Sequence, residues 1–157
     1  MSTPSEGALR ARMAVAMLSL IAGSSATYLH LYKLGLVGSL QCTTGGCDRA
    51  MFSPWGWFLG VDVARIGMIG YALLLGTALA SLQPRWQGGL GVTRVLLVLA
   101  SLGFAFTLRL KYGEFIVLRT FCPWCAISAV AITIIWILSI LEYRAVNARL
   151  EGKATTR

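Results

Sequence analysis

The sequence predicts an all-α integral membrane protein, a four-helix bundle with a periplasmic or extracellular loop and an interfacial lid segment. Of the 157 residues, 57% are hydrophobic and 13% are charged, and the mean hydropathy is +0.72. A soluble globule of this length could not cover so much apolar surface with so few charges. Four apolar segments each reach about 20 residues, the length that a helix needs to cross a bilayer. Only short polar stretches separate them.

The four predicted spans fill the chain and form a single domain over residues 1–157. The polar stretches SEGALRAR, QPRWQGG and EYRAVNARLEGKATTR flank them, without a long linker, repeat or low-complexity tract. Short connections favour one bundle of neighbouring helices. The predicted spans cover residues 13–34, 64–82, 90–110 and 123–141.

The first span has a competing interpretation as a secretory signal peptide. Arg10 and Arg12 precede an apolar run, and the small residues GSSA at 23–26 resemble a cleavage site. The apolar pattern continues beyond them through TYLHLYKL. A membrane span is therefore the favoured interpretation.

The distribution of Lys and Arg predicts how the bundle is oriented. With four spans both termini lie on one side, which carries eight basic residues, while the other side carries six. The positive-inside rule then places the termini in the cytoplasm and residues 35–63 and 111–121 outside. We expect a multi-pass protein of the inner (plasma) membrane whose net charge of +8 serves topology and lipid contact rather than nucleic-acid binding.

The four cysteines form two close pairs, Cys42/Cys47 and Cys122/Cys125. Both pairs fall on the same face of the bundle whichever way it is oriented, and an outward face is oxidising. Two redox dithiols, two structural disulfides or one four-thiolate metal site are the alternatives. The spacing of the first pair, CxxxxC, is not the CxxC knuckle of zinc ribbons, so we expect no metal.

The second pair stands in the motif FCPWC where the fourth span begins. Pro123 suits the first position of a helix, which makes Cys122 the N-cap and puts Cys125 one turn further in. A helix N-terminus favours the thiolate over the thiol. A dithiol at this depth is within reach of a lipid-soluble oxidant, whereas a disulfide that pins the helix end is the structural alternative.

The first pair stands in CTTGGC, and an aromatic segment follows it. The two glycines let this loop bend, which suits either a shuttle dithiol or a static staple. The segment MFSPWGWFL, residues 51–59, is predicted to lie at the membrane interface as a lid over a pocket or as an aromatic anchor. Trp55 and Phe58 would line that pocket, and the Ser53 hydroxyl could hydrogen-bond a carbonyl beneath it.

The motifs CTTGGCD, SPW, LGVDVARIGMIGYALLL and FCPWCAIS resemble the vitamin K epoxide reductase family, and its bacterial branch in particular. The resemblance covers nearly the whole chain, from the first span to the fourth. It implies a membrane oxidoreductase in which the CxxC pair exchanges electrons with a quinone, such as ubiquinone or menaquinone.

The resemblance also implies a role for each cysteine. Cys125 would face the quinone, Cys122 would exchange with Cys47, and Cys42 would meet a thioredoxin-like (DsbA-like) partner. The tail after Leu141 is too short for a fused thioredoxin-like domain, so this partner would be a separate protein. The implied function is a thiol oxidoreductase that passes electrons from the partner through both pairs to the quinone and promotes disulfide formation.

Ser53 matches a serine that lies beside the quinone in relatives. Val63 and Ala129 fall where vertebrate enzymes carry an asparagine and a tyrosine that contact the quinone. Their apolar side chains favour simple quinone reduction over vitamin K epoxide reduction, which is the alternative enzyme function. A non-enzymatic metal-binding or disulfide-stapled membrane protein is the third. Asp62 and Arg65 depart from bacterial relatives, and the resemblance assigns them no role.

Overall fold

The computed structural model describes residues 6–38, 42, 46–86 and 89–155. The described residues form five α-helices, of which four are long and apolar enough to cross a membrane, and a single two-stranded sheet. The predicted all-α membrane bundle is thus confirmed. The helices are α1 (Glu6–Lys33), α2 (Gly46–Phe52), α3 (Val63–Leu82), α4 (Leu90–Tyr112) and α5 (Pro123–Thr155).

The predicted spans coincide with the four long helices, but two of these helices extend well beyond their apolar stretch. Helix α1 begins seven residues before the predicted span, at Glu6, and α5 continues past Leu141 to Thr155. These extra turns carry polar side chains that interact along the helix, as between Arg10 and Glu6 at 3.8 Å. The prediction counted apolar residues and therefore could not include them.

Small and branched side chains fill the core where the long helices meet. Ala22, Ala78, Ala100 and Ile135 have no exposed surface. Small residues at helix interfaces let backbones approach closely, which supplies packing contacts where no water drives association. Large apolar residues such as Met17 and Val130 point outward instead. This arrangement fits a bundle that is surrounded by lipid.

A buried ion pair joins three helices at the end of the bundle opposite the cysteines. Arg12 Nε lies 2.6 Å from Glu142 Oε1, and the two side chains are 3% and 4% exposed. The Arg12 guanidinium also donates to the Ser81 carbonyl oxygen. Paired and hydrogen-bonded in this way, the two charges can remain in the interior. They fix α1, α3 and α5 relative to one another.

The chain between α1 and α3 forms a lid, which we define as residues 46–62. It consists of α2, a 3₁₀ turn (Pro54–Gly56), β1 (Trp57–Phe58) and β2 (Val61–Asp62), and the two strands pair antiparallel. Leu59 and Gly60 make the hairpin turn with positive φ. The first residues of the predicted flexible stretch TTGG, positions 43–45, lie outside the described residues.

Candidate redox site

Helix α5 begins at Pro123, directly after Cys122. The backbone N–H of Cys125 donates to Cys122 Sγ at 3.3 Å, and the N–H of Ala126 donates to the Cys122 carbonyl at 3.0 Å. Cys122 therefore caps the helix, with its sulfur in the position that a serine oxygen takes in an ordinary N-cap. The dithiol motif and the helix end are one local structure.

The structure brings three sulfur atoms of the two pairs into a continuous row. Cys42 and Cys47 form a disulfide, while Cys122 and Cys125 are free thiols. Cys122 Sγ lies 3.6 Å from Cys47 Sγ, and neither of these two residues has exposed surface. In the described part of the chain, no three His, Cys, Asp or Glu side chains form a group that could hold a metal ion.

The pKa of the Cys122 thiol lies below its ordinary value. The main cause is hydrogen bonding by the Cys125 side chain, and the Cys125 backbone N–H acts in the same direction, together outweighing the effect of burial. From the sequence we expect the helix N-terminus to stabilise the thiolate of Cys125. The structure directs that effect to Cys122, the thiol that contacts Cys47.

Glu114 is a buried acidic residue at this site that sequence reasoning missed. It lies in a π-helical turn (Gly113–Val117) that extends α4, and its side chain is 5% exposed. Its Oε1 accepts the backbone N–H of Cys122 at 2.6 Å, and its Oε2 lies 2.6 Å from Lys111 Nζ. The sequence offered one signal for this role of Glu114. It is an acidic residue in an otherwise apolar segment, eight positions before the CxxC pair.

A cavity of about 490 Å³ lies between the lid and the four long helices. Its volume is within the range of small-molecule sites, and its walls are mainly apolar. Four of the residues predicted to contact a quinone line it, namely Trp55, Phe58, Val63 and Cys125. The CxxC pair is therefore divided, with Cys125 at the cavity wall and Cys122 against Cys47.

Ser53 and Ala129 are not among the described residues that line the cavity. The Ser53 hydroxyl donates to the Ala50 carbonyl at 2.9 Å and so closes a turn within the lid. The Ala129 carbonyl accepts from the Thr133 hydroxyl at 2.7 Å, within α5. The structure thus does not bring these two predicted residues to the other four.

Tyr71 and Ser128 place hydroxyl groups in the cavity wall. The two hydroxyl oxygens are 2.7 Å apart, and the Tyr71 hydroxyl also donates to the Ser128 carbonyl at 3.0 Å. Ser128 follows Cys125 by three residues on α5, so the two share a helix face. The sequence alone does not reveal this interaction of Tyr71, because its partner is 57 residues away in the chain.

Asp62 gives the lid its connection to the bundle. It caps α3 by accepting from the Ala64 N–H at 3.2 Å, and it pairs with Lys33 at 2.8 Å and with His30 at 2.7 Å. Burial disfavours its charged form, but the hydrogen bonds from Lys33 and His30 outweigh burial and lower the pKa of Asp62. Lys33 also donates to the Gly56 carbonyl at 3.0 Å.

A model of the vitamin K epoxide reductase family matches residues 13–140. The matched stretch begins in α1, ends in α5, and contains the four cysteines, the lid and the residues that line the cavity. Proteins of this family use quinones as redox substrates. The arrangement of adjacent cysteines beside an apolar cavity agrees with that chemistry, and the chain belongs to the vitamin K epoxide reductase family of membrane oxidoreductases.

Proposed function

We propose that this protein is a quinone-linked thiol–disulfide oxidoreductase that promotes disulfide formation. Electrons would pass from a separate thioredoxin-like protein to Cys42/Cys47, then to Cys122/Cys125, and finally to a quinone. The observation that carries the proposal is the position of the CxxC pair. Cys122 Sγ lies 3.6 Å from Cys47 Sγ, while Cys125 lines the apolar cavity.

The first exchange oxidises the partner. A partner thiolate attacks Cys42 Sγ, the Cys42–Cys47 disulfide breaks, and Cys47 leaves as a thiolate. The second partner thiol then displaces Cys42, which leaves the partner as a disulfide and both loop cysteines reduced. The partial exposure of Cys42 and the complete burial of Cys47 support Cys42 as the thiol that the partner reaches.

The second exchange moves the electron pair inward. With Cys122 and Cys125 oxidised, the Cys47 thiolate attacks Cys122 Sγ and Cys125 leaves. Cys42 then attacks Cys47, which re-forms the Cys42–Cys47 disulfide and releases Cys122 as a thiolate. The arrangement in the structure, with the loop pair oxidised and Cys122 free beside Cys47, corresponds to the product of this step.

The third exchange ends at the quinone. The Cys122/Cys125 dithiol gives up two electrons and two protons, becoming a disulfide while the quinone becomes a quinol. The position of Cys125 at the cavity wall supports it as the thiol that faces the quinone ring. Trp55 and Phe58 would pack on the ring, and Tyr71 and Ser128, whose hydroxyls bond to each other, could donate to a quinone carbonyl only if one of them gives up its present hydrogen bond.

Simple quinone reduction is favoured over vitamin K epoxide reduction. Val63 lines the cavity with an apolar side chain, and Ala129 presents no polar group where vertebrate relatives carry a tyrosine. With the basic residues as the guide to orientation, the cysteines would face the periplasm of a bacterial inner membrane and both termini would lie in the cytoplasm. A bacterial protein of this kind would use ubiquinone or menaquinone.

A reconstituted assay tests this function. The purified protein in lipid nanodiscs receives a reduced thioredoxin-like protein as donor and a ubiquinone or menaquinone analogue as acceptor, and the ultraviolet absorbance of the quinone is followed. We expect quinone loss that matches the partner disulfide formed one to one. A parallel reaction contains vitamin K epoxide instead. Consumption of the epoxide without consumption of the quinone would refute the proposal, and Cys125→Ser should abolish turnover.

A further inference from the structure

We propose that Glu114 is a positioning residue of this relay, which holds Cys122 against Cys47 through the Cys122 backbone and sets the charge around its sulfur. The inference deepens the proposed function and rests on it. In the proposed relay, Cys122 Sγ takes part in disulfide exchange with Cys47 and with Cys125. Its placement therefore controls transfer in both directions.

The first step of the argument is the anchor on the backbone. A cap residue has one backbone N–H that no helical carbonyl reaches, and at Cys122 this N–H donates to Glu114 Oε1 at 2.6 Å. Hydrogen bonds to an ionised acceptor are short and strong. Arg119, three residues before Cys122, has positive φ, so the loop that leads to α5 makes a sharp turn just ahead of this anchor.

The second step is the restraint on the anchor itself. The Glu114 carboxylate is held at both oxygens, by Cys122 N–H and by Lys111 Nζ. The backbone around it is fixed as well, because the Thr120 N–H donates to the Glu114 carbonyl at 3.1 Å. Glu114 therefore joins the end of α4 to the start of α5, at the point where Cys122 Sγ meets Cys47 Sγ.

The third step is the charge that surrounds Cys122. The groups that face its sulfur are Cys125 on α5, Cys47 on α2, Glu114 in the π-helical turn and Lys111 on α4. Of the two ionic groups, Lys111 favours a thiolate at Cys122 and Glu114 opposes it. The two ionic groups thus act in opposite directions, with Glu114 the stronger, and removal of one member alone must change how readily Cys122 ionises.

A trapping experiment tests the positional role without using a quinone. In a Cys42→Ser background, Cys47 and Cys125 compete to form a disulfide with Cys122. The protein is equilibrated in a glutathione redox buffer, which can exchange with the partly exposed Cys125. The disulfides are then quantified by peptide mapping with mass spectrometry. We expect Cys47–Cys122 in the parent, a loss of about five- to tenfold on Glu114→Ala, and recovery on Glu114→Gln, whose amide oxygen can still accept the N–H.

Glu142→Gln is the matched control, because Glu142 is a buried, ion-paired glutamate at the other end of the bundle. It should lower thermal stability without changing the trapped fraction. An Ala variant that traps as much as the parent, a Gln variant that fails to restore trapping, or a parent without Cys47–Cys122 would each overturn the inference.

The pH dependence tests the charge. In single-turnover oxidation of pre-reduced protein by a quinone analogue, Cys122 would attack Sγ of the quinone-bound Cys125, closing the disulfide and releasing the quinol, so the acid limb of this step reports ionisation of Cys122. Loss of the negative charge in Glu114→Gln should move this limb to lower pH by about half a unit or more, because the carboxylate that disfavours the Cys122 thiolate is gone. Glu142→Gln should leave it in place, and an unmoved limb in Glu114→Gln would overturn the electrostatic part. Normal trapping in the Cys42→Ser parent, together with a wild type that reduces no quinone, would refute the proposed function alone.

Discussion

The two thiols of the CPWC motif lie only three positions apart but face different neighbours. Cys122 contacts Cys47, and Cys125 lines the cavity. One helical turn separates them, so the start of α5 itself directs one thiol to the loop disulfide and the other to the cavity. Each thiol can therefore be replaced by serine to test its own contact.

In Cys122→Ser, Cys125 should still react with the quinone, but no Cys122 thiol remains to break the resulting adduct. When a quinone analogue is added to this variant, we expect a new visible charge-transfer absorbance or a covalent adduct at Cys125, read by spectrophotometry and mass spectrometry. Cys125→Ser serves as the control and should give neither. Normal quinone reduction by Cys125→Ser would show that another group faces the quinone.

Trp55→Ala should weaken quinone binding, because the ring is part of the cavity wall and its removal costs at most about 1.5–3 kcal/mol of buried apolar contact. Ser53→Ala in the same lid should leave quinone affinity almost unchanged, since the hydroxyl already donates to the Ala50 carbonyl. Quenching of tryptophan fluorescence or calorimetry would measure both. A larger loss for Ser53→Ala than for Trp55→Ala would restore Ser53 as a quinone contact.

At the scale of single residues, the sequence predicts the features that depend only on neighbouring positions in the chain. The N-cap position of Cys122 follows from the proline after it, and the structure places it there. The contacts of Glu114 with Cys122 and of Tyr71 with Ser128 could not be predicted in the same way. Each joins different helices, and no periodicity within one helix reports which partner lies opposite.

The lid is held to the bundle chiefly at one charged cluster at the ends of α1 and α3. Lys33 donates to Gly56 in the lid and to Asp62, and its ammonium lies 4.0 Å from the centre of the Trp57 ring. Asp62 also accepts from His30. This cluster gives Asp62 a structural role that the resemblance did not assign.

Asp62→Asn should destabilise the fold at neutral pH and not in acid. The folded pKa of Asp62 is lowered, so its contribution is present above the unfolded value of about 3.8 and is lost as the pH falls through the folded value. We expect a loss of about 1.5–3 kcal/mol at pH 7 from hydrogen bonds to a charged group. Thermal unfolding in detergent at a series of pH values would measure it.

The matched control for this change is Asp48→Asn, because Asp48 is an exposed lid carboxylate that accepts from Tyr32 at 2.9 Å. It should cost little, as exposed polar contacts do. A difference between wild type and Asp62→Asn that persists unchanged well below pH 3 would mean that the ion pairs of Asp62 do not stabilise the lid.

Gly113→Ala should disturb the cavity through its effect on Trp55. A Cβ at position 113 would lie 2.5 Å from the Trp55 ring, so the ring has to move from its place in the wall. Overpacking of this kind typically costs about 1–3 kcal/mol, and we expect a higher KM for the quinone. Gly91→Ala on α4 is the control, because nothing lies within 4 Å of a Cβ there. Equal KM values for both variants would contradict the contact.

Among the elements, long apolar helices are predictable and the lid is only partly so. The four spans follow from about 20 apolar residues each, since every backbone group in lipid must be paired within the helix. The segment SPWGWF predicts a break in helical structure. The short α2 and the hairpin beyond it depend on contacts that local propensity does not encode, such as that of Gly46 with the Phe121 backbone.

At the scale of the whole molecule, four spans place both cysteine pairs on one face of the bundle whichever way it is oriented. The side of the membrane on which that face lies depends on the distribution of Lys and Arg. We expect a membrane-impermeant thiol reagent to label Cys42 in reduced intact cells, because the excess of Lys and Arg at the other end favours cytoplasmic termini. A cysteine placed at Thr155 in a variant lacking the other four should be labelled only after lysis. The reverse pattern would invert the orientation.

Cys47 and Cys122 present no surface to the solvent. Glutathione and other small thiols are abundant competitors for any accessible disulfide, yet they cannot approach these two sulfur atoms, through which the proposed relay would pass its electrons. Of the four cysteines, Cys42 and Cys125 are the partly exposed ones, and at Cys42 a partner with a fitted surface would compete favourably. If the proposed relay operates, burial of Cys47 and Cys122 would direct the oxidising power of the quinone to one partner protein and would limit its loss to the general pool of small thiols.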